Sequence, residues 1–143
     1  MSLRVARLDQ GARLPTRAHP DDAGLDLYAL HSALLQPGER ASIRTGVAVE
    51  IPPGQAGLVL PRSGLAARHG LMLVNSPGLI DSGFRGELQV LLLNTDLRQA
   101  VGLDAGDRIA QLVLVAIETP TPVEVDALAR SERGTGGFGS TGS

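Results

Sequence analysis

Short runs of alternating side chains constrain the fold of this chain more than any other feature. In "IRTGVAVEI" (Ile43–Ile51) an apolar or β-branched residue stands at every second position, which is the period of a strand with one buried face. Other short apolar runs predict further strands at Leu3–Leu8, Ala56–Leu60, Leu71–Val74, Glu87–Leu93 and Ile109–Ile117. The chain is therefore expected to be an all-β protein.

Turn residues separate these runs and limit the architecture further. The stretches "QPGE", "IPPGQ", "NSPG" and "DAGD" join glycine to proline or acidic residues, as turns do. Strands at this spacing are typical of a β-sandwich or a jelly roll. Only Pro61–Gly70 has the proline start and glycine stop of a short helix, and Gly64 in its interior disfavours it.

The segment that begins with "ETPTP" differs in character from the rest of the chain. It is polar and rich in proline, and a glycine-rich run follows it. A length of 143 residues suits one domain. We therefore predict one domain with a jelly-roll body over residues 1–118, an arm over 119–132 and a flexible tail over 133–143.

Composition excludes several classes of function. The chain has no cysteine, so thiolate catalysis and cysteine-bound zinc are ruled out. A net charge of −2 gives no strong attraction to nucleic acid or to anionic membranes. The first residues, "MSLRVARLDQ", lack the apolar stretch of a secretion signal. We expect a cytoplasmic protein that binds neither nucleic acid nor membrane.

Asp81 is the first candidate for chemistry. It lies in "GLIDSGFRGELQV" (Gly78–Val90), after two apolar residues and before a turn with two glycines, at the mouth of a predicted hairpin. A carboxylate held there can act as a general base on a water molecule. The alternative is an aspartate that stabilises its own turn through a side-chain to backbone hydrogen bond. The residues alone leave both interpretations open.

Two further stretches carry polar groups in defined settings. "PRSG" places Arg62, Ser63 and Gly64 at a possible helix start, where backbone N–H groups favour anions such as phosphate. A plain capped turn is the alternative. Asp26 lies between two leucines in "AGLDLYA". It is either a solvent-facing residue or an internally satisfied one, and its sequence context favours the first.

The glycine-rich tail contains Phe138, one of two phenylalanines in a chain without tryptophan. Its glycines match G-x-G-x-x-G, but no strand precedes them, so a dinucleotide fold is not predicted. A flexible backbone beside Arg133 can instead fold over phosphates, and a disordered tail is the alternative. A scarce aromatic residue in such a segment indicates contact with a ligand or another chain.

In chain order, five motifs resemble those of the trimeric dUTP pyrophosphatase (dUTPase) family. They are "AGLDLYA", "PRSGLAARHG", "GLIDSGFRGELQV", "GDRIAQLVL" (Gly106–Leu114) and "RGTGGFGSTG", and together they span Ala23–Gly142. The resemblance implies a jelly-roll homotrimer that hydrolyses dUTP to dUMP and pyrophosphate with Mg²⁺. This reaction limits uracil in DNA and supplies dUMP for thymidylate synthesis.

The resemblance also implies a role for each site residue, in three sites that each draw on all three chains. Asp81 becomes the base that deprotonates the attacking water. Substrate phosphates are bound by a second chain through Arg62, Ser63, Gly64 and Gln111. Asp26 supports Arg62 or the waters of the Mg²⁺, which has no direct protein ligand.

For the nucleoside, the resemblance implies a hairpin formed by the third motif and the strand before it. The uracil site comprises Asn75, Gly78, Leu79, Ile80 and Gln89. Phe84 stands where many family members carry tyrosine and packs under the deoxyribose. The tail of a third chain closes over the nucleotide with Phe138 on the uracil, Gly139 beside it and Arg133 at the phosphates.

Three other functions compete with this one. A dCTP deaminase has a similar fold and a similar arginine and serine motif, but is expected to lack "GLIDSGFRG" and "RGTGGFG". A trimer that binds nucleotide to regulate a partner, without catalysis, is the second alternative. A plain β-sandwich binding module is the third, and it leaves the ordered motifs unexplained.

Overall fold

A computed structural model describes residues 1–142 and contains eleven strands and one helix within them. The all-β, jelly-roll-like fold class expected from the sequence is confirmed. The helix, α1, spans Ser63–His69 and lies between β6 and β7. The strands are β1 Arg4–Arg7, β2 Leu25–Tyr28, β3 Ala33–Leu35, β4 Arg40–Arg44, β5 Val47–Glu50, β6 Gln55–Leu60, β7 Leu71–Leu73, β8 Gly78–Ile80, β9 Gln89–Asn94, β10 Val101–Leu103 and β11 Arg108–Ala116.

The strands pair in antiparallel fashion within small sheets. One sheet has the order β2-β11-β6-β8 and another has the order β4-β9-β7, and β1 pairs with β5 and β3 with β10. The buried core is aliphatic, and its largest fully buried side chains include Leu27, Leu35, Leu92, Ile109 and Leu112. The aromatic side chains therefore take no part in it.

The long alternating run does not form the single strand that its period predicts. Between β4 and β5 the chain turns at Gly46, whose φ is 71°, a region that glycine adopts without strain. A Cβ atom at Gly46 would lie 2.8 Å from the Cβ of Ala12. Thr45 is buried at this break and donates its hydroxyl to the carbonyl of Leu88 at 2.6 Å. The chain therefore turns at Gly46 because of this close packing, which the alternating sequence pattern does not predict.

The strand before the third motif, β7, pairs with β9 as the expected hairpin requires, but the two strands that flank Asp81, β8 and β9, do not pair with each other. β8 pairs with β6, whereas β9 pairs with β4 and β7, so residues 81–88 cross from one sheet to the other. The crossing is held by Glu87, whose carboxylate accepts from Arg44 Nε at 3.1 Å and from the Gly46 N–H at 2.8 Å. It is also held by the Leu88 N–H, which donates to the Val47 carbonyl at 2.8 Å. These partners lie about 40 residues away in the chain, beyond the reach of a local pattern.

The predicted short helix is confirmed, and it places Arg62 and Ser63 where the chain leaves β6. α1 follows Arg62, which is extended with φ −97° and ψ 130°, and ends at Gly70 in the left-handed conformation with φ 64°. Glycine is the usual residue at such a helix end. At seven residues α1 is short, and no helix within residues 1–142 has the length and apolarity needed to cross a membrane.

After β11 the described chain leaves the body. Ile117 donates to the Gly54 carbonyl at 3.0 Å, and residues 118–142 form neither strand nor helix. Hydrogen bonds beyond this point are local, such as that from Arg133 Nε to the Gly136 carbonyl at 2.7 Å. Leu128 is 88% exposed, and Val123 is also exposed. Exposed aliphatic side chains on an extended segment indicate a surface that another chain can cover.

Candidate active site

The structure brings one group of predicted residues to a single polar pocket of about 350 Å³. In β2 and β11, Asp26 lies opposite Gln111, and Gln111 lies opposite Leu60 at the end of β6. This register places the segment that follows β6 beside both side chains. The predicted residues that line the pocket are Asp26, Arg62, Ser63, Gly64 and Gln111.

Asp26 is the electrostatic centre of this pocket. Its Oδ1 lies 3.2 Å from Arg62 Nε and its Oδ2 lies 3.4 Å from Arg108 Nη1. Only 14% of the Asp26 side chain is exposed, so the solvent-facing interpretation favoured by its sequence context is wrong. One carboxylate therefore orients two guanidinium groups, whose remaining N–H groups can donate to a phosphate.

Arg108 also lines the pocket, but the sequence pattern does not identify it as a site residue, although it belongs to the same motif as Gln111. In a regular strand, residues three apart point to opposite faces. A bulge between Arg108 and Ala110 shifts the register, so that Arg108 pairs with Tyr28 and Gln111 with Asp26. The extra residue brings Arg108 and Gln111 to the same face. A period of two therefore assigns Arg108 to the wrong side.

Gln111 is fixed at the wall of the pocket by two neighbours. Its Nε2 donates to the Pro61 carbonyl at 3.0 Å. A Cβ atom at position 24 would lie 2.3 Å from Gln111 Oε1, so a larger residue there would displace the Gln111 amide. Gly24 also lines the pocket. The sequence does not identify it as a site residue, because glycine has no side chain that would indicate chemistry.

Asp81 belongs to a second group of residues, on the loop between β8 and β9. Its side chain is exposed and forms no hydrogen bond with residues 1–142. Its backbone carbonyl accepts the Phe84 N–H at 3.0 Å. The alternative in which this carboxylate stabilises its own turn is therefore not what the structure shows, and both oxygens are free to accept a proton or a hydrogen bond.

Arg85 braces the turn that follows Asp81. Its Nη1 donates to the carbonyls of Ser82 at 2.6 Å and Phe84 at 3.0 Å. Its Nη2 lies 3.9 Å from Glu50 Oε1. Because the Asp81 side chain has no hydrogen bond of its own, its position depends on the backbone that Arg85 holds.

Of the residues predicted to contact uracil, four lie on or beside β8, whereas Gln89 lies on β9 in another sheet. The amide of Asn75 lies against Gly78, where a Cβ atom would be 3.2 Å from Asn75 Nδ2. Gln89 begins β9, and its Oε1 accepts the Ser42 hydroxyl at 2.5 Å. Leu79 and Ile80 complete β8.

Phe84 lies against the backbone of Gly86, where a Cβ atom would be 2.6 Å from the ring. The ring is 43% exposed. It therefore presents an apolar face on the same loop as Asp81.

Within one chain the two groups are far apart. Ile80 pairs with Gly57, so Asp81 continues away from the end of β6 at which Arg62 lies. Arg62 is five residues beyond Gly57, which at about 3.3 Å per residue places it roughly 15–20 Å from Asp81. The pocket around Arg62 has no residue from the 81–89 segment among its lining residues.

The predicted tail residues join neither group within the described chain. Phe138 is fully exposed, and Arg133 bonds only to the tail itself, at the Gly136 carbonyl. Gly139 has a φ of 82°, a conformation for which glycine is suited. Pocket, Asp81 loop and tail are three separate parts of the described chain.

An aliphatic jelly-roll body, whose sheet holds two arginines on one carboxylate, defines a β-fold protein with a site for a phosphorylated ligand. The sequence comparisons narrow this class. A sequence model of the dUTPase family matches residues 10–142. The chain belongs to the dUTPase family.

Curated relatives with the name deoxyuridine 5'-triphosphate nucleotidohydrolase match almost the whole chain. The relative from Thermobifida fusca is 56% identical over 140 residues, which cover 98% of this chain and 78% of that protein. The relative from Mycobacterium marinum is 55% identical over 146 residues, with coverage of 99% and 95%.

Solved structures of phage dUTPases share the fold. The dUTPase of Staphylococcus bacteriophage 80alpha with dUpNHpp has a TM-score of 0.93 at 34% identity and covers 99% of both chains. That work describes phage dUTPases as controlling the transfer of virulence genes. A mutant dUTPase of S. aureus phage phi11 has a TM-score of 0.83 at 32% identity, covers 89% of this chain and 98% of its own, and is described with a structural Mg(II) ion.

Proposed function

We propose that this protein hydrolyses dUTP to dUMP and pyrophosphate, which limits uracil in DNA and supplies dUMP for thymidylate synthesis. The observation that carries the proposal is the Asp26 pocket, where one carboxylate orients Arg62 and Arg108 in a chain of the dUTPase family. Two guanidinium groups held in this way suit the phosphates of a nucleotide. Arg62, Ser63, Gly64 and Gln111 are the residues we assign to phosphate binding.

Asp81 is the group we assign to the base. Its free carboxylate accepts a proton from the attacking water, whose oxygen forms a bond to the α-phosphorus. The bond between that phosphorus and the bridging oxygen breaks, and pyrophosphate leaves with the electron pair. An aspartate is already ionised at neutral pH, so the role depends on where the carboxylate is held rather than on a large pKa shift.

Mg²⁺ is the cofactor we assign. No group of three histidine, aspartate or glutamate side chains within residues 1–142 could hold a metal, and both oxygens of Asp26 face arginines. A Mg²⁺ that is carried by the substrate phosphates and water needs few protein ligands. The side chains present are compatible with a Mg²⁺ bound in this way. When bound, it neutralises charge on the phosphate oxygens.

Uracil recognition is assigned to the β8 region. The Asn75 amide and the backbone of Gly78, Leu79 and Ile80, with Gln89, offer hydrogen bonds that complement uracil. Cytosine presents an amino donor where uracil presents a carbonyl acceptor, so polar groups are left unpaired. The Phe84 ring packs under the deoxyribose and leaves no space for a 2′-hydroxyl.

The active site is assigned to the interfaces of a homotrimer. A pocket and a base that lie roughly 15–20 Å apart in one chain can act on one substrate only if different chains supply them. We assign the body of each subunit to residues 1–118, the arm to 119–132 and the tail to 133–143. A third chain supplies the tail, with Arg133, Phe138 and Gly139 over the nucleotide.

Pyrophosphate release tests the proposed reaction. With Mg²⁺ present, we expect release from dUTP, with kcat/KM at least about 100-fold lower for dCTP, dTTP and UTP, because each leaves a polar group unpaired or meets a steric wall. A coupled pyrophosphate assay gives all four rates under the same conditions.

Two results contradict the proposal and identify the alternative. Ammonia released from dCTP identifies a deaminase. Binding of dUTP without release of pyrophosphate identifies a regulatory trimer without catalysis.

Arg85 is expected to position Asp81 without touching the substrate. Replacing it by glutamine removes the bonds to the Ser82 and Phe84 carbonyls and releases the turn. We expect kcat to fall about tenfold with little change in KM, because misplacing a base affects the chemical step rather than binding. Steady-state kinetics with dUTP measures both constants.

Arg4 provides the matched control for Arg85. It pairs with the same glutamate, with Nη1 3.0 Å from Glu50 Oε2, but does not touch the turn. Arg4→Gln should leave kcat and KM unchanged, and Arg85→Lys should restore part of the lost kcat. A rise in KM at constant kcat in Arg85→Gln would assign Arg85 to substrate binding instead.

A further inference from the structure

A second polar cleft, with a volume of about 540 Å³, opens beside the Asp26 pocket. Arg62 and Arg108 line both spaces, so the two are neighbours across these guanidinium groups. The other lining residues of the second cleft are Arg13, Tyr28, Leu65, Gly106 and Asp107. None of the five family motifs contains Arg13.

Arg13 is held in place by neutral groups. Its Cζ lies 5.7 Å from the centroid of the Tyr28 ring, within the range of a cation–π contact. The hydroxyl of Tyr28 is hydrogen-bonded to Thr16. On the other side, a Cβ atom at Gly106 would lie 3.2 Å from Arg13 Cζ, so the guanidinium packs against bare backbone.

The guanidinium of Arg13 has no acidic partner. Among residues 1–142, no carboxylate lies within 4.0 Å of it. Asp107 lines the same cleft, but its Oδ2 accepts the Asp104 N–H at 2.8 Å. Asp26 faces Arg62 and Arg108. Three arginines against two carboxylates leave the cleft positive, and Arg13 is the arginine that no carboxylate neutralises.

We propose that this cleft is a second anion site, which binds inorganic pyrophosphate or phosphate beside the phosphates of the nucleotide. Arg13 is its principal ligand, since a planar guanidinium that is already oriented loses little freedom when it binds a phosphate oxygen. The identity of pyrophosphate as a reaction product rests on the proposed function. The anion chemistry of the cleft does not.

Calorimetric titration of pyrophosphate into the full chain tests this site, both without nucleotide and after saturation with dUpNHpp. We expect the saturated protein to bind pyrophosphate, and Arg13→Gln to weaken this binding about tenfold by removing one charge-assisted hydrogen bond. Arg13→Lys keeps the charge but loses the planar fork, so an intermediate loss is expected. Thermal unfolding of each variant establishes that it is folded.

Arg40 provides the matched control, because it lies on β4 in the other sheet. Arg40→Gln removes the same charge and should leave pyrophosphate binding unchanged. The proposal is overturned if the saturated protein binds no pyrophosphate, or if Arg13→Gln binds it as well as the parent. It is also overturned if Arg13→Gln weakens dUpNHpp alone, because the cleft then holds the terminal phosphate of the nucleotide.

Hydrolysis of dUTP is measured on the same samples to separate the two proposals. Pyrophosphate binding that depends on Arg13, in a protein that does not hydrolyse dUTP, refutes the proposed function and leaves the anion site in place. Hydrolysis of dUTP by a protein that binds no pyrophosphate when saturated with dUpNHpp refutes the anion site and supports the proposed function.

Discussion

Replacing Asp81 by asparagine is expected to lower kcat for dUTP hydrolysis about a thousandfold, the usual contribution of a positioned general base. The substitution keeps the size of the side chain and removes the charge that accepts the proton. Binding of dUpNHpp should stay equal or become tighter, because a neutral amide does not repel the phosphates. Single-turnover rates and calorimetric affinity measure the two effects separately.

Asp104→Asn is the matched control for this change. Asp104 is exposed in the turn between β10 and β11, outside both the Asp81 loop and the Asp26 pocket. It should leave kcat and affinity as they are. If Asp81→Asn retains most of its kcat, then Asp81 is not the base, and a loss of affinity without a loss of kcat would place it in ground-state binding.

The sequence predicted those parts of this fold that depend on local chemistry. A proline before Ser63–His69 and a glycine after it predict the helix, because they fix its two ends. β6 and β11 were predicted to within one residue by their apolar runs. The motifs likewise indicate five of the ten residues that line the Asp26 pocket, but not Arg108 or Gly24.

Features that depend on distant contacts could not be predicted in this way. Gly46 interrupts an alternating run because Ala12 occupies the space beside it. β8 and β9 lie in different sheets because Glu87 and Leu88 are bonded to the β4–β5 turn. Arg108 faces the pocket because of a bulge that no hydrophobic period reveals. Each of these depends on a partner far away in the chain.

If Asp81 and Arg62 act on the same substrate, as proposed, the site cannot be completed within one chain. The register of β6 with β8 separates Asp81 from Arg62, and the tail is exposed and bonded only to itself. Burying an exposed leucine such as Leu128 contributes about 2 kcal/mol, which favours docking of the arm on a neighbour. The exposed arm and the distance between Asp81 and Arg62 are both consistent with the proposed homotrimer, in which each subunit contributes residues to the site of a neighbour.

Mixing two inactive variants tests the divided site directly. Asp81→Asn keeps the pocket and lacks the base, and Arg62→Gln keeps the base and lacks a phosphate ligand. If base and pocket come from different chains of a symmetric trimer, random mixing in equal amounts should restore about a quarter of the parental kcat per site. Co-refolding the two variants, followed by the pyrophosphate assay, measures this recovery.

The control is a mixture of Asp81→Asn with the double variant that carries both changes. It contains no intact base in any chain and should stay inactive. A site built from a single chain predicts no recovery in the test mixture either, because every chain then carries one defect. The same design applied to Asp81→Asn and a chain that stops at Glu132 asks whether the tail, with Arg133 and Phe138, reaches a base on another subunit. Recovery in both mixtures requires that each substrate contacts more than one chain. The same requirement follows from the strand register, because Asp81 and Arg62 lie roughly 15–20 Å apart in one chain.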